Sequence, residues 1–333
     1  MKKEDIWQHY KPNFIDTKSS TVDLKAITST MDSRQESYKS QVLGQPSGQV
    51  QIPGKLPFTV VFLGDVHWGS VFTDHRQFLK DLNEIRATPN AYVVFMHNLV
   101  DNAIPSKYPA NMLVNSIPPA EQFPTMQKII KDLDLDGRVL GALEGDCHEG
   151  WSWAATGQSA SNLLYGYEGR KFPVLYNGSL LTLNTEGGVE YVLGLWHRQG
   201  PFNSNFNKSH SLQQMQRLVH SGKADVEAGA HTHVAEALMT YYGRGLDRKP
   251  VAYIRTGSYK GTGEVYDKWN VDLRGTTGEP SGQCVLFYPD RKEMDASLSL
   301  ETGLAKHKAL YLNEMIKQEH PDFLDEAGLL GVP

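Results

Sequence analysis

Three short strand candidates set the tightest limit on how this chain can fold: FTVVFL (58–63), a continuous apolar run, AYVVFM (91–96) and RVLGALEG (138–145). Each is short and bounded by Pro, Gly or polar residues. A strand that is apolar along its whole length must be covered on both faces, as in a parallel sheet flanked by helices. The segments between them have helical periodicity. DHRQFLKDLNEIR (74–86) puts Phe78, Leu79, Leu82 and Ile85 on one face, with Asp74 as a candidate N-cap, and AEQFPTMQKIIKDL (120–133) is a second helix. Strand–helix–strand alternation of this kind predicts an α/β fold built on a parallel sheet.

Further along, a helical patch near 158–166 precedes a hairpin pair over 174–196, a helix over 208–221, strand candidates at 251–259 and 282–289, and a terminal helix in the last thirty residues. Residues 1–57 are rich in Ser, Thr, Gln and Lys and end in the Gly- and Pro-dense GQPSGQVQIPGKLP. They read as a polar arm and linker with one helix around 31–42. The predicted organisation is therefore an arm (1–57), a central domain (58–290) and a helical extension (291–333). No apolar run approaches the ~20 residues that span a bilayer, and the N-terminal stretch lacks the apolar core of a secretory signal. With only Cys147 and Cys284 there is no disulfide framework, and a reducing, cytoplasmic location is expected. A net charge of -5 argues against gripping long duplex DNA by phosphate neutralisation.

Polar residues collect where the predicted strands end, the edge at which α/β sheets form ligand sites. Strand 58–63 runs into Asp65 and His67, and strand 91–96 into His97, Asn98 and Asp101. The third strand leads to Asp146, Cys147, His148 and Glu149, the strand ending near 195 to His197 and Arg198, and a later GAHTH carries His231 and His233. Residues two apart on an extended segment point the same way, so Asp65/His67 and His231/His233 can each grip a cation. Mixed imidazole and carboxylate donors suit Mn, Zn, Fe or Ni better than Ca or Mg. Two such pairs plus the other donors are enough for two metals, which ~3.5–4 Å apart can clamp both oxygens of an in-line phosphoryl displacement.

In this order, the clusters GDVHWG, HNLVD, GDCHEG, the lone His197 and GAHTH resemble the motifs of the calcineurin-like metallophosphoesterases, over about residues 57–290. The resemblance is nearest to the phage and prokaryotic branch, through HRQGPFNSNFNKSH (197–210) and RTGSYK (255–260). It implies a four-layer α/β/β/α sandwich and hydrolysis of a phosphoester by a metal-activated hydroxide. The nearest branch points to a phosphodiester of a nucleotide or nucleic acid as substrate, and to two divalent ions, Mn first among them. By position it makes Asp65, His67 and His233 ligands of one metal and His197 and His231 ligands of the other. Asn98 falls where the family has a bridging carboxylate, and Asp146 where it has an amide ligand. His148 would be the proton donor to the leaving oxygen, with Asp101 as its catalytic-site companion. Arg198 and His210 would hold the substrate phosphate.

The amide at Asn98 and the acid at Asp146 look exchanged. An amide offers one neutral donor oxygen where a carboxylate offers two anionic ones. Three readings follow: a swapped but working two-metal site, a site holding one metal, or a site in which His97 or Asp101 replaces the missing ligand. Two functions follow in turn, a working phosphoesterase or a weakened or inactive relative that acts as a binding or structural module. An amide-cleaving metallohydrolase has less support, since no HExxH helix is present.

Overall fold

The structure, a computed structural model, describes residues 23–102, 115–144, 149–150, 152–153, 157–198, 207–245, 247–261 and 280–319. The chain divides into two units, Met1–Ser40 and Gln41–Pro333. In the first, helix α1 (Leu24–Gln41) starts at Asp23, whose carboxylate accepts from the amides of Lys25 and Ala26 at 3.0 and 3.2 Å. That cap begins the helix earlier than the 31–42 expected from the sequence.

The second unit is built on one long twisted sheet. Its first half contains β2 (Phe58–Leu63), β3 (Ala91–Phe95) and β4 (Val139–Glu144), all parallel and buried along their whole length. Helix α2 (His75–Ala87) connects β2 to β3, and α3 (Pro119–Leu135) connects β3 to β4. Asp74 caps α2 by accepting from Gln77 N at 2.9 Å. Antiparallel β10 (Cys284–Phe287) and β11 (Met294–Ser297) extend this half beyond β2.

The short helix α4 (Ala160–Tyr165) precedes β5 (Val174–Thr185), which belongs to both halves. Its first residues run parallel to β4, while Ser179–Asn184 pair antiparallel with β6 (Glu190–Trp196). Helix α5 (His210–Leu218) then leads to β7 (Val226–Gly229), which is parallel to β6. Beyond it lie β9 (Lys249–Arg255) and, antiparallel to β9, β8 (Glu236–Tyr242).

Alternation along β2 shows how the layers stack. Val61 and Leu63 face a core shared with Phe78, Leu82 and Ile85 of α2 and Met126, Ile130 and Leu133 of α3. Phe58, Val60 and Phe62 face the other way, into a core shared with Leu193 and Leu195 of β6, Val226 of β7 and Ile254 of β9. The two half-sheets therefore pack face to face. A third cluster, Trp196, Leu212, Val251 and Tyr253, seats α5 on the outside of the second half. The result is the four-layer α/β/β/α order.

Two stretches placed outside the central domain by the sequence lie within this fold. Residues 45–52, read as linker, form β1 (Gln45–Ile52), an edge strand parallel to β5 with only Ile52 fully buried. The C-terminal segment supplies β11 and then α6 (Leu300–Glu319), which packs on α2, β2, β10 and β11 through Leu300 and Leu304. His307 Nε2 donates to the Pro89 carbonyl at 2.6 Å.

Phe58 is the centre of the core between the half-sheets. It is fully buried, stacks on Phe287 at 5.1 Å and meets Tyr191 and Tyr92 edge-on, each at 6.4 Å. Phe58→Ala should lower the free energy of unfolding by about 3–5 kcal/mol, the usual cost of a large core truncation. Urea denaturation followed by circular dichroism measures it, and a loss under about 1 kcal/mol would mean that this core collapses around the cavity.

Candidate metal centre

The carboxyl ends of β2, β3, β6 and β7 converge, and each delivers residues to one buried cluster. Beyond β2 come Asp65 and His67, beyond β3 His97 and Asn98, beyond β6 His197, and beyond β7 His231 and His233. Asp65, His67, His97, Asn98, His231 and His233 all have left-handed backbone, with φ between 50° and 72°. Few other non-glycine residues among those described do so, so the strain is concentrated at these strand ends. Asp, Asn and His tolerate the left-handed region better than most residues. The turns also interlock: Asp65 N donates to His97 O at 3.1 Å and His67 N to Asn98 O at 3.0 Å.

At the heart of the cluster, His67 Nε2 and His233 Nε2 lie 3.2 Å apart, and Asp65 Oδ1 is 3.5 Å from the latter and 3.9 Å from the former. Ligand atoms around a tetrahedral ion at zinc–nitrogen distance stand about 3.4 Å from one another. One carboxylate and two imidazoles at this spacing fit a divalent transition metal. Burial opposes ionisation of Asp65, but His233, His197 and His67 around it prevail and hold its carboxyl well below the usual carboxylate range. Burial pushes the His67 imidazole down, toward the neutral form that can ligate.

The second pair lies alongside. The rings of His197 and His231 are 5.2 Å apart. His197 Nδ1 donates to the Met96 carbonyl at 2.7 Å, a contact that fixes its tautomer and leaves Nε2 as the ligating nitrogen. Asn177, on β5, accepts from the amides of His197 and Arg198 at 2.7 and 3.3 Å and so shapes this loop. A lone Asn within a hairpin carries no sequence signal for that role.

Asn98 is tied to Asp65, which joins the two groups. The Nδ2 of Asn98 donates to Asp65 Oδ1 at 3.2 Å, while the Asn98 Oδ1 is buried without a hydrogen-bond partner among the described residues. Asp65 Oδ2 accepts from His231 N at 2.6 Å. An orphaned amide oxygen beside a carboxylate and imidazoles is a further donor suited to a cation.

His97 and Asp101, the two candidate replacement ligands, lie beside the cluster with partners of their own. His97 Nδ1 accepts from Asn98 N at 2.7 Å, and Nε2 lies 3.4 Å from Ser161 Oγ, which donates to Glu149 at 2.8 Å. Asp101 stands behind His67, with Oδ1 3.3 Å from Nδ1, a close contact that falls short of a straight hydrogen bond. Burial disfavours its charge, but His67 and Lys260 outweigh that and keep its carboxyl below the usual range. Arg198 is exposed at the flank and His210 opens α5, half-buried. Asp146, Cys147 and His148 lie outside the described residues.

No protein-family model matches the chain, and no curated protein matches it. Solved structures do. Vps29 of Entamoeba histolytica complexed with Zn2+ is similar at 16% identity and a TM-score of 0.33, over 69% of this chain and 84% of that one. A predicted phosphoesterase of Streptococcus pneumoniae TIGR4 is similar at 13% identity and a TM-score of 0.31, over 73% and 100%. A protein of Thermotoga maritima, solved by NMR, is similar at 12% identity and a TM-score of 0.31, over 73% and 98%.

Proposed function

We propose that this chain is a metal-dependent phosphoesterase of the calcineurin-like kind, hydrolysing a phosphodiester of a nucleotide or nucleic acid. The observation that carries the reading is the buried Asp65/His67/His233 triad, with His197 and His231 next to it at the ends of neighbouring strands. Asp65, His67 and His233 would hold one ion and His197, His231, Asn98 and Asp146 a second, Mn being the first candidate and Zn, Fe or Ni the others. When bound, such ions polarise a phosphoryl oxygen and lower the pKa of water.

The residues of the chain do the rest. Asp65 and the imidazoles set where the ions stand. His148 would give a proton to the leaving oxygen, while Arg198 and His210 would bind substrate phosphate. Among the described residues, no helix is long and apolar enough to cross a membrane; with two cysteines only, the chain would work in the reducing cytoplasm. A second reading, a weakened relative kept as a binding module, is favoured by one observation: Asn98 gives Asp65 an N–H where a carboxylate would give a metal a charge.

Hydrolysis of bis-p-nitrophenyl phosphate with added Mn tests the first reading. Wild-type turnover should exceed that of His148→Ala by roughly a hundredfold, as general acid catalysis usually contributes. Equal rates in the two chains would remove the enzyme reading and leave the binding module.

A further inference from the structure

The segment after β9, Thr256–Gly261, is tied to the loop that carries Asp65 and His67. Ser258 Oγ donates to the Asp65 carbonyl at 2.7 Å and accepts from Lys260 N at 3.0 Å. Lys260 itself is 6% exposed. Its ammonium donates to Asp101 Oδ1 at 2.9 Å, the same oxygen that lies 3.3 Å from His67 Nδ1. The backbone on either side of Lys260 is anchored. Tyr259 donates its hydroxyl to Asp81 at 2.7 Å, the Tyr259 carbonyl accepts from Asp74 N at 2.9 Å, and Gly261 N donates to Phe72 O at 2.7 Å.

A lysine this deeply buried is costly unless it is paired, and a carboxylate this deeply buried equally so. The pair is therefore a built feature of the interior and differs from surface ion pairs, most of which contribute little. Asp101 Oδ2 has no hydrogen-bond partner among the described residues. Among the described residues, the side-chain contacts that orient the Asp101 carboxylate lie on Oδ1, and there the Lys260 contact is the shorter of the two. Without the ammonium, none of these contacts would hold the carboxylate turned toward His67.

We infer that Lys260 is a positioning residue of the metal centre. Through Asp101, its ammonium holds the His67 ring with Nε2 turned to Asp65 and His233. The inference rests on the reading of those three residues as ligands, and adds to it a side chain from a different part of the sequence. Carboxylates that orient a ligating imidazole are a general device of metal sites; here the orienting carboxylate is itself held by a cation.

The test is titration of the full chain with Co2+, followed by visible absorption and by competition with a chelator. Three proteins are compared: wild type, Lys260→Met, which keeps the apolar stem without the charge, and Lys260→Arg. Lys260→Met should bind Co2+ about 10–100-fold more weakly, the usual effect of removing a residue that supports a ligand, and its absorption bands should shift. Lys260→Arg should recover most of the affinity and the bands. In a His67→Ala background, Lys260→Met should change affinity by no more than about twofold, since the effect passes through His67. If Lys260→Met does not fold, Asp101→Asn takes its place with the same expected loss and the same background control.

Wild-type affinity and bands in Lys260→Met, or a loss that persists at full size without His67, would overturn the role given to Lys260 and leave the triad standing. A wild-type chain that takes up no Co2+ would overturn the triad, and the role of Lys260 with it.

Discussion

Asp65→Asn should lose tightly held transition metal and should lower metal-dependent phosphodiester hydrolysis roughly a thousandfold. Asp65 is the only carboxylate of the triad and is fully buried. Both of its oxygens are in use, one against Asn98 and His233 and the other against His231 N. An amide at this position keeps the size and can keep one accepting contact, but removes the charge that holds the cation. Lewis-acid stabilisation by a bound ion supplies several kcal/mol, and each 1.36 kcal/mol is tenfold in rate, which gives about a thousandfold. Asp65→Ala is the poorer test. Residue 65 has φ of 50°, a conformation that Asn adopts more readily than Ala, so alanine would mix lost charge with backbone strain. Elemental analysis of the purified chain and turnover of bis-p-nitrophenyl phosphate read the two effects. Wild-type metal content in Asp65→Asn would mean that the metal sits elsewhere.

The parts of this architecture that the sequence makes legible share a physical cause. β2, β3 and β4 are buried on both faces, so their sequences are mostly apolar and stand out from their polar surroundings. β1 belongs to the same sheet, but it lies at an edge with most of its residues exposed. Nothing forces QPSGQVQI to be apolar, and its Gly and Pro neighbours imitate a linker. Helix α6 is visible as a helix, whereas its packing on α2 and β2 depends on contacts that no local pattern encodes.

The site divides in the same way. Metal-favouring side chains at strand ends can be read from residue type and order, and the structure gathers Asp65, His67, Asn98, His197, His231 and His233 into one place. What supports them cannot be read so. Asp65 leans on Ser258, His67 on Asp101 and through it on Lys260, and His197 on the Met96 carbonyl and on Asn177. These contacts join positions far apart in the chain, through residue types that are common everywhere. RTGSYK stands out as a string, but only the folded chain shows that its lysine reaches Asp101.

Restoring an acid at the other half of the apparent exchange, Asn98→Asp, should raise the affinity for divalent metal about 10–100-fold and raise turnover with it. The amide Nδ2 of Asn98 lies 3.2 Å from Asp65 Oδ1, an attraction that a second carboxylate would turn into repulsion. Two like charges at that distance cost about 5 kcal/mol at an effective dielectric of 20. The variant must relieve this by taking up a proton or a cation. Its metal-free form should therefore melt below wild type, and saturating Mn should stabilise it more than it stabilises wild type. A 10–100-fold gain in affinity corresponds to about 1.4–2.7 kcal/mol of added stabilisation at saturation. The backbone offers no objection, because Asp tolerates the left-handed conformation at residue 98 nearly as well as Asn. Melting curves with and without Mn separate the two effects, and turnover of the diester ranks the chains. Higher affinity with higher turnover would mean that the amide weakens a catalytic site. Unchanged affinity with lower turnover would refute this, since the amide would then be the working form, with Asp146 supplying the charge that Asn98 lacks.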